Sequence, residues 1–333
     1  MATTKATRKT STKKPTTRAA AAKTAPAKSK TTVRTVSAKP APVVTTAKPK
    51  RESKLPGNLA NVMLAEVFGT FILALVALMT VADVTPLYIG LTFGLLFMTL
   101  GLVSGSHLNP AVSFGMWAVG KLKALMLPFY WLAQVLGAMA AVVVMHLVSG
   151  KNFGLDFSRF TEFSTPVFMV ELIGTAVFLF GLVSVLNRVD LSPVGRALGV
   201  GLSLFAGLVV AGSLYAPVPA AAEADYLRQL QDVAARSGNE GQPDLAQLRE
   251  VAVPSAMLVG GATLNPAIAL AATESTNVND IFERYGINDA AATEEDQPSY
   301  SRIGVEVIVA TLLGAAIGAY ATRLVNFQFS KRA

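Results

Sequence analysis

Two copies of the tripeptide Asn-Pro-Ala have the residue types and the setting to do chemistry in this chain. The first copy is Asn109, Pro110 and Ala111, and the second is Asn265, Pro266 and Ala267. Proline is favoured at the first position of a helix, where the N–H that it lacks would be unpaired. A helix that begins there exposes its other N–H groups and its positive dipole end, and the Asn amide adds a hydrogen-bond donor. Each tripeptide therefore predicts a helix start that can bind the oxygen of a neutral molecule.

The sequence before each tripeptide is repeated as well. A run of small residues precedes both, at 104–108 and at 260–264, and similar apolar stretches open upstream at 65–70 and 170–175. A lone Asn-Pro-Ala is an ordinary helix start. Two copies inside matching surroundings indicate a duplicated half.

The composition is typical of a membrane protein. Hydrophobic residues make up 52% of the chain and charged residues 15%, and the mean hydropathy is +0.48. A helix that crosses the bilayer core needs about 20 apolar residues. Six stretches qualify and predict membrane-spanning helices, at residues 59–82, 86–103, 124–148, 168–187, 195–214 and 303–325. The chain has no cysteine, which excludes disulfides and thiolate chemistry.

Two shorter apolar pieces follow the tripeptides, at 110–119 and 266–272, and neither is long enough to span a bilayer. The predicted fold class is an all-α membrane protein, a bundle of six transmembrane helices plus two re-entrant half-helices in an inverted repeat. Non-helical backbone at that depth is tolerated where it is buried in protein or lines a cavity. Two positive helix ends that meet near the membrane centre disfavour cations and protons and pass neutral hydrogen-bonding molecules.

The charges divide the chain into a basic tail and a mildly acidic remainder. Residues 1–54 contain fifteen Lys and Arg and one acid, against fourteen and twenty in the rest. The tail's Ala, Thr, Lys and Pro residues bury too little apolar surface to fold, so we expect disorder there. The expected divisions are the tail at 1–57, a membrane domain at 58–326 with halves at 58–150 and 166–326, and a short C-terminal tail at 327–333.

The Lys and Arg residues also predict the orientation. If six helices alternate, the basic residues of the tail, of the loops and of the C-terminal end all fall on one side, which the positive-inside rule assigns to the cytoplasm. We therefore expect an integral multi-pass protein of the plasma membrane with both termini in the cytoplasm. For the tail, the composition fits a solvated extension, a site for anionic lipid or nucleic acid, or a transit peptide.

Two acidic insertions distinguish the second half from the first. The stretch from the repeated Glu to the repeated Asn is 43 residues long in the first half and 94 in the second. The insertions, at 215–256 and 273–301, are expected on the extracellular side. The first contains an amphipathic run at 226–233 that predicts a helix. It is either a tolerated surface insertion or a lid over a pore.

With these motifs and spans together, the chain resembles the aquaporin family of major intrinsic proteins over roughly residues 58–326. The resemblance rests on residues 104–112 and 260–267, on the paired glutamates Glu66 and Glu171, and on the run from Tyr130 to Gln134 in the third span. It implies homotetramers in the lipid bilayer with one pore per subunit. Such channels conduct water, glycerol or other small uncharged solutes, and they need no cofactor.

The resemblance also implies roles for polar residues outside the tripeptides. Glu66 and Glu171 match glutamates that accept hydrogen bonds from the backbone of the re-entrant loops, and the alternative is a buried, protonated side chain with local partners. His107 matches a loop position beside the first tripeptide, where a structural role is favoured over a pH switch. We count Gln134 with these three as structural support for the pore.

Apolar residues replace the aromatic and arginine constriction that is usual in the family. Most members have an Arg after the second tripeptide, where this chain has Ile268. The other constriction positions fall on Ile89 in the second span, Leu208 in the fifth and Ala262 in the loop. We expect these four residues to form the selectivity filter. Ala269 matches neither the acidic residue of glycerol facilitators nor the serine of water-selective members, so the permeant stays open.

An apolar filter has two physical consequences. Without a guanidinium there is no fixed fork of donors at the narrowing, so cation and proton exclusion rests on the half-helix ends. A narrow apolar ring imposes a dewetting barrier, whereas a wider one favours solutes with carbon faces, such as glycerol, over water alone.

Other classes of function fit the chain less well. Two His, no Cys and no acid pair in a catalytic setting argue against an enzyme, and no metal site is expected. A secondary transporter also uses broken helices, but it needs a polar site in mid-membrane, and the spans offer little beyond Glu66 and Glu171. A non-conducting membrane tether that acts through its basic tail is a further alternative. A passive channel is the favoured interpretation.

Overall fold

The computed structural model describes residues 55–79, 84–149, 163–237, 248, 251, 254, 256, 261–274, 300–301 and 303–330. Its helices are α1 (Leu59–Met79), α2 (Thr85–Ser104), α3 (Pro110–Ala118), α4 (Leu127–Ser149), α5 (Thr165–Asn187), α6 (Pro193–Tyr215), α7 (Val218–Ser237), α8 (Pro266–Ala271) and α9 (Val305–Ser330). A 3-10 turn, Ala124–Met126, precedes α4, and two short strands, β1 (Thr273–Glu274) and β2 (Tyr300–Ser301), lie between α8 and α9. The predicted tail, except for its last three residues, lies outside the described residues, as do part of the first insertion and most of the second.

Six stretches of the described residues are long and apolar enough to cross a membrane, and they fall on α1, α2, α4, α5, α6 and α9. The predicted all-α membrane class, with six spans and two short helices after the tripeptides, is confirmed. Helix ends differ from the predicted spans by a few residues. For example, α5 begins at Thr165 because the Ser164 hydroxyl accepts the Val167 N–H at 3.5 Å and Pro166 lies in the first turn.

The helices of the two halves pack in the same way. In the first half α1 packs on α2 and α4, and in the second half α5 packs on α6 and α9, while α2 and α6 join the halves. The two short helices cross between halves, since α3 packs against α9 and α5, and α8 packs against α4 and α1. This exchange brings the two tripeptides, which are far apart in sequence, into one region of the core.

Glycine sets the closeness of the α2–α6 contact. A Cβ on Gly201 of α6 would lie 2.4 Å from the carbonyl oxygen of Gly90 and 3.2 Å from the Cα of Gly94. Small residues allow membrane helices to approach in this way, so that backbone packs directly against backbone.

Replacing Gly201 by Ala is expected to lower the free energy of unfolding by about 1–3 kcal/mol, because the methyl group overpacks this contact. Gly212 lies in the same helix with nothing within 4 Å of an added Cβ, so Gly212→Ala is the matched control. The control should gain up to about 1 kcal/mol from its higher helix propensity. Unfolding of both variants in detergent measures the difference, and equal stability of the two would contradict the prediction.

The first insertion is docked on the membrane domain by an apolar stripe of α7. Val218, Ala222, Tyr226 and Leu230 recur at every fourth position, which places them on one helix face. Tyr226 and Leu230 are buried, and Val218 and Ala222 pack against the main apolar core. The helix predicted at 226–233 is therefore part of a longer one. Its action as a lid stays a prediction.

The ends of the second insertion are paired by the two strands. Thr273 lies opposite Ser301 and Glu274 opposite Tyr300 in an antiparallel ladder. Because β1 follows α8 and β2 precedes α9, the ladder ties the end of the second short helix to the start of the last span.

Candidate functional site

Each Asn of the repeated tripeptide caps its own short helix. The Oδ1 atom of Asn109 accepts the Ala111 N–H at 2.8 Å. The Oδ1 atom of Asn265 accepts the N–H groups of Ala267 at 3.1 Å and of Ile268 at 3.5 Å. Both asparagines have extended backbone and are followed by proline in the first turn, which is the geometry of a helix N-cap. The capping is local, and it fixes the direction of each amide.

The Nδ2 atoms of the two asparagines join the two halves. Asn109 donates to the carbonyl oxygen of Leu264 at 2.7 Å, and Asn265 donates to that of Leu108 at 3.0 Å. Leu108 and Leu264 each have a φ of 52°, in the left-handed region that residues with a side chain seldom adopt. In this conformation the carbonyl of each leucine points toward the Asn of the opposite loop. The result is a reciprocal pair of hydrogen bonds that holds the starts of α3 and α8 face to face.

Glu66 of α1 binds the loop before the first tripeptide. Its Oε1 accepts from the Ser104 hydroxyl at 2.6 Å and from the His107 N–H at 2.9 Å. Its Oε2 accepts from the Leu108 N–H at 2.7 Å and from the Gln134 amide at 2.8 Å. The carboxyl group is fully buried, and each oxygen faces two donors. Four donors around one side chain match an ionised carboxylate, which only accepts.

Glu171 of α5 makes the corresponding contacts in the second half. Its Oε1 accepts from the Thr263 N–H at 2.8 Å and from the Thr263 hydroxyl at 3.1 Å. Its Oε2 accepts from the Leu264 N–H at 2.8 Å. The two backbone donors are the residues one and two positions before the Asn, as in the first half, so the duplicated sequence produces a duplicated hydrogen-bond pattern.

The supporting side chains differ between the halves. Gln134 donates to Glu66 and, at 2.9 Å, to the Ser113 hydroxyl. In the second half, Thr311 of α9 occupies the position that corresponds to Gln134, three residues before the glycine that packs on α5. Its hydroxyl donates to carbonyls of its own helix instead. The hydrogen bonds that Gln134 donates therefore have no counterpart among those of the Thr311 hydroxyl.

His107 is part of that network. It is buried, its Nδ1 lies 3.1 Å from the Ser113 hydroxyl, and its ring lies 4.7 Å from the Tyr130 ring between centroids. The Tyr130 hydroxyl donates to the Ser104 carbonyl. The imidazole thus packs between the loop and α4, and its position is that of a structural residue.

The four residues predicted to form the filter all belong to the main apolar core or pack against it. Ile89, Leu208 and Ile268 are buried members of one packed cluster, and Ala262 is partly buried against it. They come from α2, α6, the start of α8 and the loop before it. Their role as a filter stays a prediction.

Several residues of the site escaped the sequence reasoning. Ser104, Ser113 and Thr263 supply donors, and Leu108 and Leu264 supply the carbonyl oxygens of the reciprocal bonds. The repeat indicated a packing role for the two leucines, because each packs against the glycine of the repeated apolar stretch upstream of its tripeptide. A Cβ on Gly69 would lie 2.4 Å from Leu108 Cδ2, and one on Gly174 would lie 2.7 Å from Leu264 Cδ2.

The described residues contain no group of three or more His, Cys, Asp or Glu that could hold a metal ion. What the site does present is hydrogen-bonding groups and the positive dipole ends of two opposed helix starts.

Comparison with known proteins adds the family. Residues 52–217 match the model of the family described as Major intrinsic protein. Aquaporin Z of Brucella melitensis is 36% identical over 172 residues, which cover 44% of this chain and 75% of that protein. Aquaporin Z of Photorhabdus laumondii is 32% identical over 166 residues, covering 42% and 71%.

A solved structure is also similar, that of the aquaglyceroporin from Plasmodium falciparum. It is 18% identical at a TM-score of 0.45, and the match covers 83% of this chain and 100% of that one. The family assignment rests on the sequence relatives, because three quarters of the Brucella protein is matched at more than 30% identity. This chain therefore belongs to the major intrinsic proteins, the aquaporin family of integral membrane channels for water and glycerol.

Proposed function

We propose that this chain forms a passive channel for small uncharged solutes, water or glycerol-like polyols, with a pore that passes between the starts of α3 and α8. One observation carries the proposal, the reciprocal hydrogen bonds of Asn109 and Asn265. These bonds hold two helix N-termini face to face, so their positive dipole ends act on the same point. Family membership supports the class of solute.

A solute oxygen at this point meets donors. Each Asn amide uses its oxygen for its own helix and one N–H for the opposite loop, which leaves one N–H per amide for a passing solute. Two positive dipole ends disfavour cations and protons in a narrow passage. A water or hydroxyl oxygen accepts a hydrogen bond there and is released again, as passive conduction requires.

The buried glutamates serve this pore as scaffold. Glu66 and Glu171 accept hydrogen bonds from the N–H groups of the two re-entrant loops, and in the described part of the chain these N–H groups have no backbone partner. Gln134 and His107 complete the support on the first side. These side chains act by holding the tripeptides and make no contact with the solute in this proposal.

The selectivity filter in this proposal is the apolar set Ile89, Leu208, Ala262 and Ile268. Their burial in one cluster supports the assignment. With no guanidinium at the narrowing, the filter offers carbon surface to a solute, which favours polyols with carbon faces over water alone.

Osmotic flux tests the function. Full-length protein is reconstituted in proteoliposomes, and stopped-flow light scattering measures water and glycerol permeability, with a pH-sensitive dye as the proton-leak control. Flux above that of empty vesicles, without dependence on an ion gradient, supports a passive channel. Vesicles that respond no faster than empty ones, or flux that requires an ion gradient, would overturn it.

Replacing Ile268 by Arg is expected to lower the ratio of glycerol to water permeability about fivefold, since a charged donor at the narrowing is worth about 1 kcal/mol or more. The guanidinium narrows the passage and replaces carbon surface with hydrogen-bond donors. Ile268→Leu keeps the apolar volume and should leave the ratio unchanged. The same stopped-flow assay on both variants checks this, and an unchanged ratio in the Arg variant would place Ile268 outside the constriction.

The assembly and the location are part of the same proposal. We propose a homotetramer with one pore per subunit in the plasma membrane, with both termini in the cytoplasm. Lys121 and Lys123 lie in the loop α3–α4, Arg188 lies in the loop α5–α6, and Arg196 lies in the first turn of α6. These positions support this orientation. The fifteen basic residues at 1–54 would then face the cytoplasm and could bind an anionic partner, lipid or nucleic acid.

A further inference from the structure

The C-terminal end of α3 is capped by two sets of hydrogen bonds, one from the adjacent backbone and one from a distant helix. Locally, Gly120 has a φ of 74° and donates its N–H to the Trp117 carbonyl at 2.8 Å, while Lys121 N–H donates to the Met116 carbonyl at 2.8 Å. This pair of bonds is a Schellman motif, in which a left-handed glycine ends the helix. It leaves the carbonyls of Ala118 and Val119 without a partner from the local chain.

Two side chains of α9 donate hydrogen bonds to these remaining carbonyls. The Tyr320 hydroxyl donates to the Ala118 carbonyl at 2.7 Å, and Arg323 Nη2 donates to the Val119 carbonyl. The guanidinium also lies over the Tyr320 ring, 5.4 Å from its centroid. A cation at the C-terminal end of a helix is stabilised by the negative end of the dipole. Tyr320 and Arg323 thus complete a cap that the sequence next to α3 cannot supply.

The rest of α3 is held along its length. A Cβ on Gly115 would lie 3.2 Å from the carbonyl oxygen of Ala315 on α9, so the two helices are in close contact. At the other end, the Trp131 Nε1 of α4 donates to the carbonyl of Pro110 at 3.1 Å. A rigid helix of nine residues therefore connects the capped end to Asn109.

We infer that Tyr320 and Arg323 form a positioning clamp, which sets the place of α3 along its axis and thereby the place of Asn109 in the pore. A helix rises about 1.5 Å per residue, so a shift at the clamped end is transmitted along roughly 14 Å to the tripeptide. Arg323 also keeps a positive charge at the C-terminal end of α3, in a chain whose proposed filter has no arginine. The clamp rests on the proposed pore function.

The test compares four full-length variants: Arg323→Gln, Arg323→Lys, Tyr320→Phe and, as a control for surface charge, Lys123→Gln. Lys123 is an exposed basic residue in the loop that follows α3. Water permeability is measured per folded channel, after quantification of folded protein by size-exclusion chromatography. Arg323→Gln is expected to lower the water permeability per folded channel about threefold, because α3 loses its charged cap. Lysine should restore part of the loss, and the control should match the wild type.

A second readout is independent of conduction. The chain has two tryptophans, and in a Trp117→Phe background the remaining Trp131 reports on its bond to Pro110, at the pore end of α3. Arg323→Gln should shift the emission of Trp131, although the substitution lies at the opposite end of the helix. A wild type without flux would overturn the proposed function, while the Trp131 emission would still decide the clamp. Unchanged emission and unchanged permeability per folded channel in Arg323→Gln would overturn the clamp.

Discussion

Replacing Glu66 by Gln is expected to lower the free energy of unfolding by about 2–5 kcal/mol, because two buried donors lose their acceptor at about 1–3 kcal/mol each. Each carboxylate oxygen accepts from two donors, so the Gln –NH₂ group opposes a pair of them whichever way the amide is turned. The loop that carries Asn109 loses its anchor as a result. Unfolding of the purified protein in detergent measures the loss.

Glu66→Gln also distinguishes an ionised Glu66 carboxylate from a protonated carboxyl group. A protonated carboxyl would already present an O–H donor, and Gln would then resemble it and destabilise little. Asp190 provides an exposed control: its ion pair among the described residues is with Arg188, whose hydrogen bonds lower the pKa of Asp190 to about 2. Exposed pairs contribute little, so Asp190→Asn should leave stability unchanged. A Glu66→Gln protein as stable as that control would contradict the carboxylate role.

Replacing Asn265 by Asp is expected to lower water permeability by about tenfold and to raise the proton and cation leak, since leaving the buried Leu108 carbonyl without its donor costs about 1–3 kcal/mol. Aspartate keeps the oxygen that caps α8, so the helix start survives. It has no N–H for the Leu108 carbonyl, and its negative charge faces that oxygen. The charge also outweighs the positive dipole ends that oppose cations.

The measurement combines light scattering with a pH-sensitive dye inside the vesicles. Asn109→Asp should reproduce the result from the other half, because the two amides make reciprocal bonds. Asn187→Asp, at the exposed end of α5, is the control for an added charge and should behave as wild type. A leak that stays at the wild-type level in both tripeptide variants would show that the asparagines do not line the passage.

Local chemistry made much of this fold predictable from the sequence. Proline after asparagine predicted the start of α3 and α8, because capping and the missing N–H act within three residues. The apolar runs predicted the six spans, since a bilayer requires a minimum length of apolar helix. Errors at the ends have local causes too, such as the Ser164 cap that begins α5 before the predicted span.

The repeat carried information over a longer range. The repeat identified the two glutamates as a matching pair, and the family resemblance implied that they accept from the backbone of the re-entrant loops. Each does accept the N–H groups of the two residues before the Asn. The filter residues were identified through the family resemblance alone, and their role stays a prediction. Nothing in the repeat predicted that Gln134 supports the first loop while Thr311 turns its hydroxyl to its own helix.

The sequence by itself determined the two helix starts, the spans and the duplication, because caps, apolar length and repeated residues are properties of neighbouring positions. Only the tertiary structure decided which groups meet across the halves. Asn109 and Leu264 are 155 residues apart, and Arg323 and Val119 are 204 apart. These bonds form because α3 and α8 cross into the opposite half, where a carbonyl that lacks a local partner meets a donor from a distant helix.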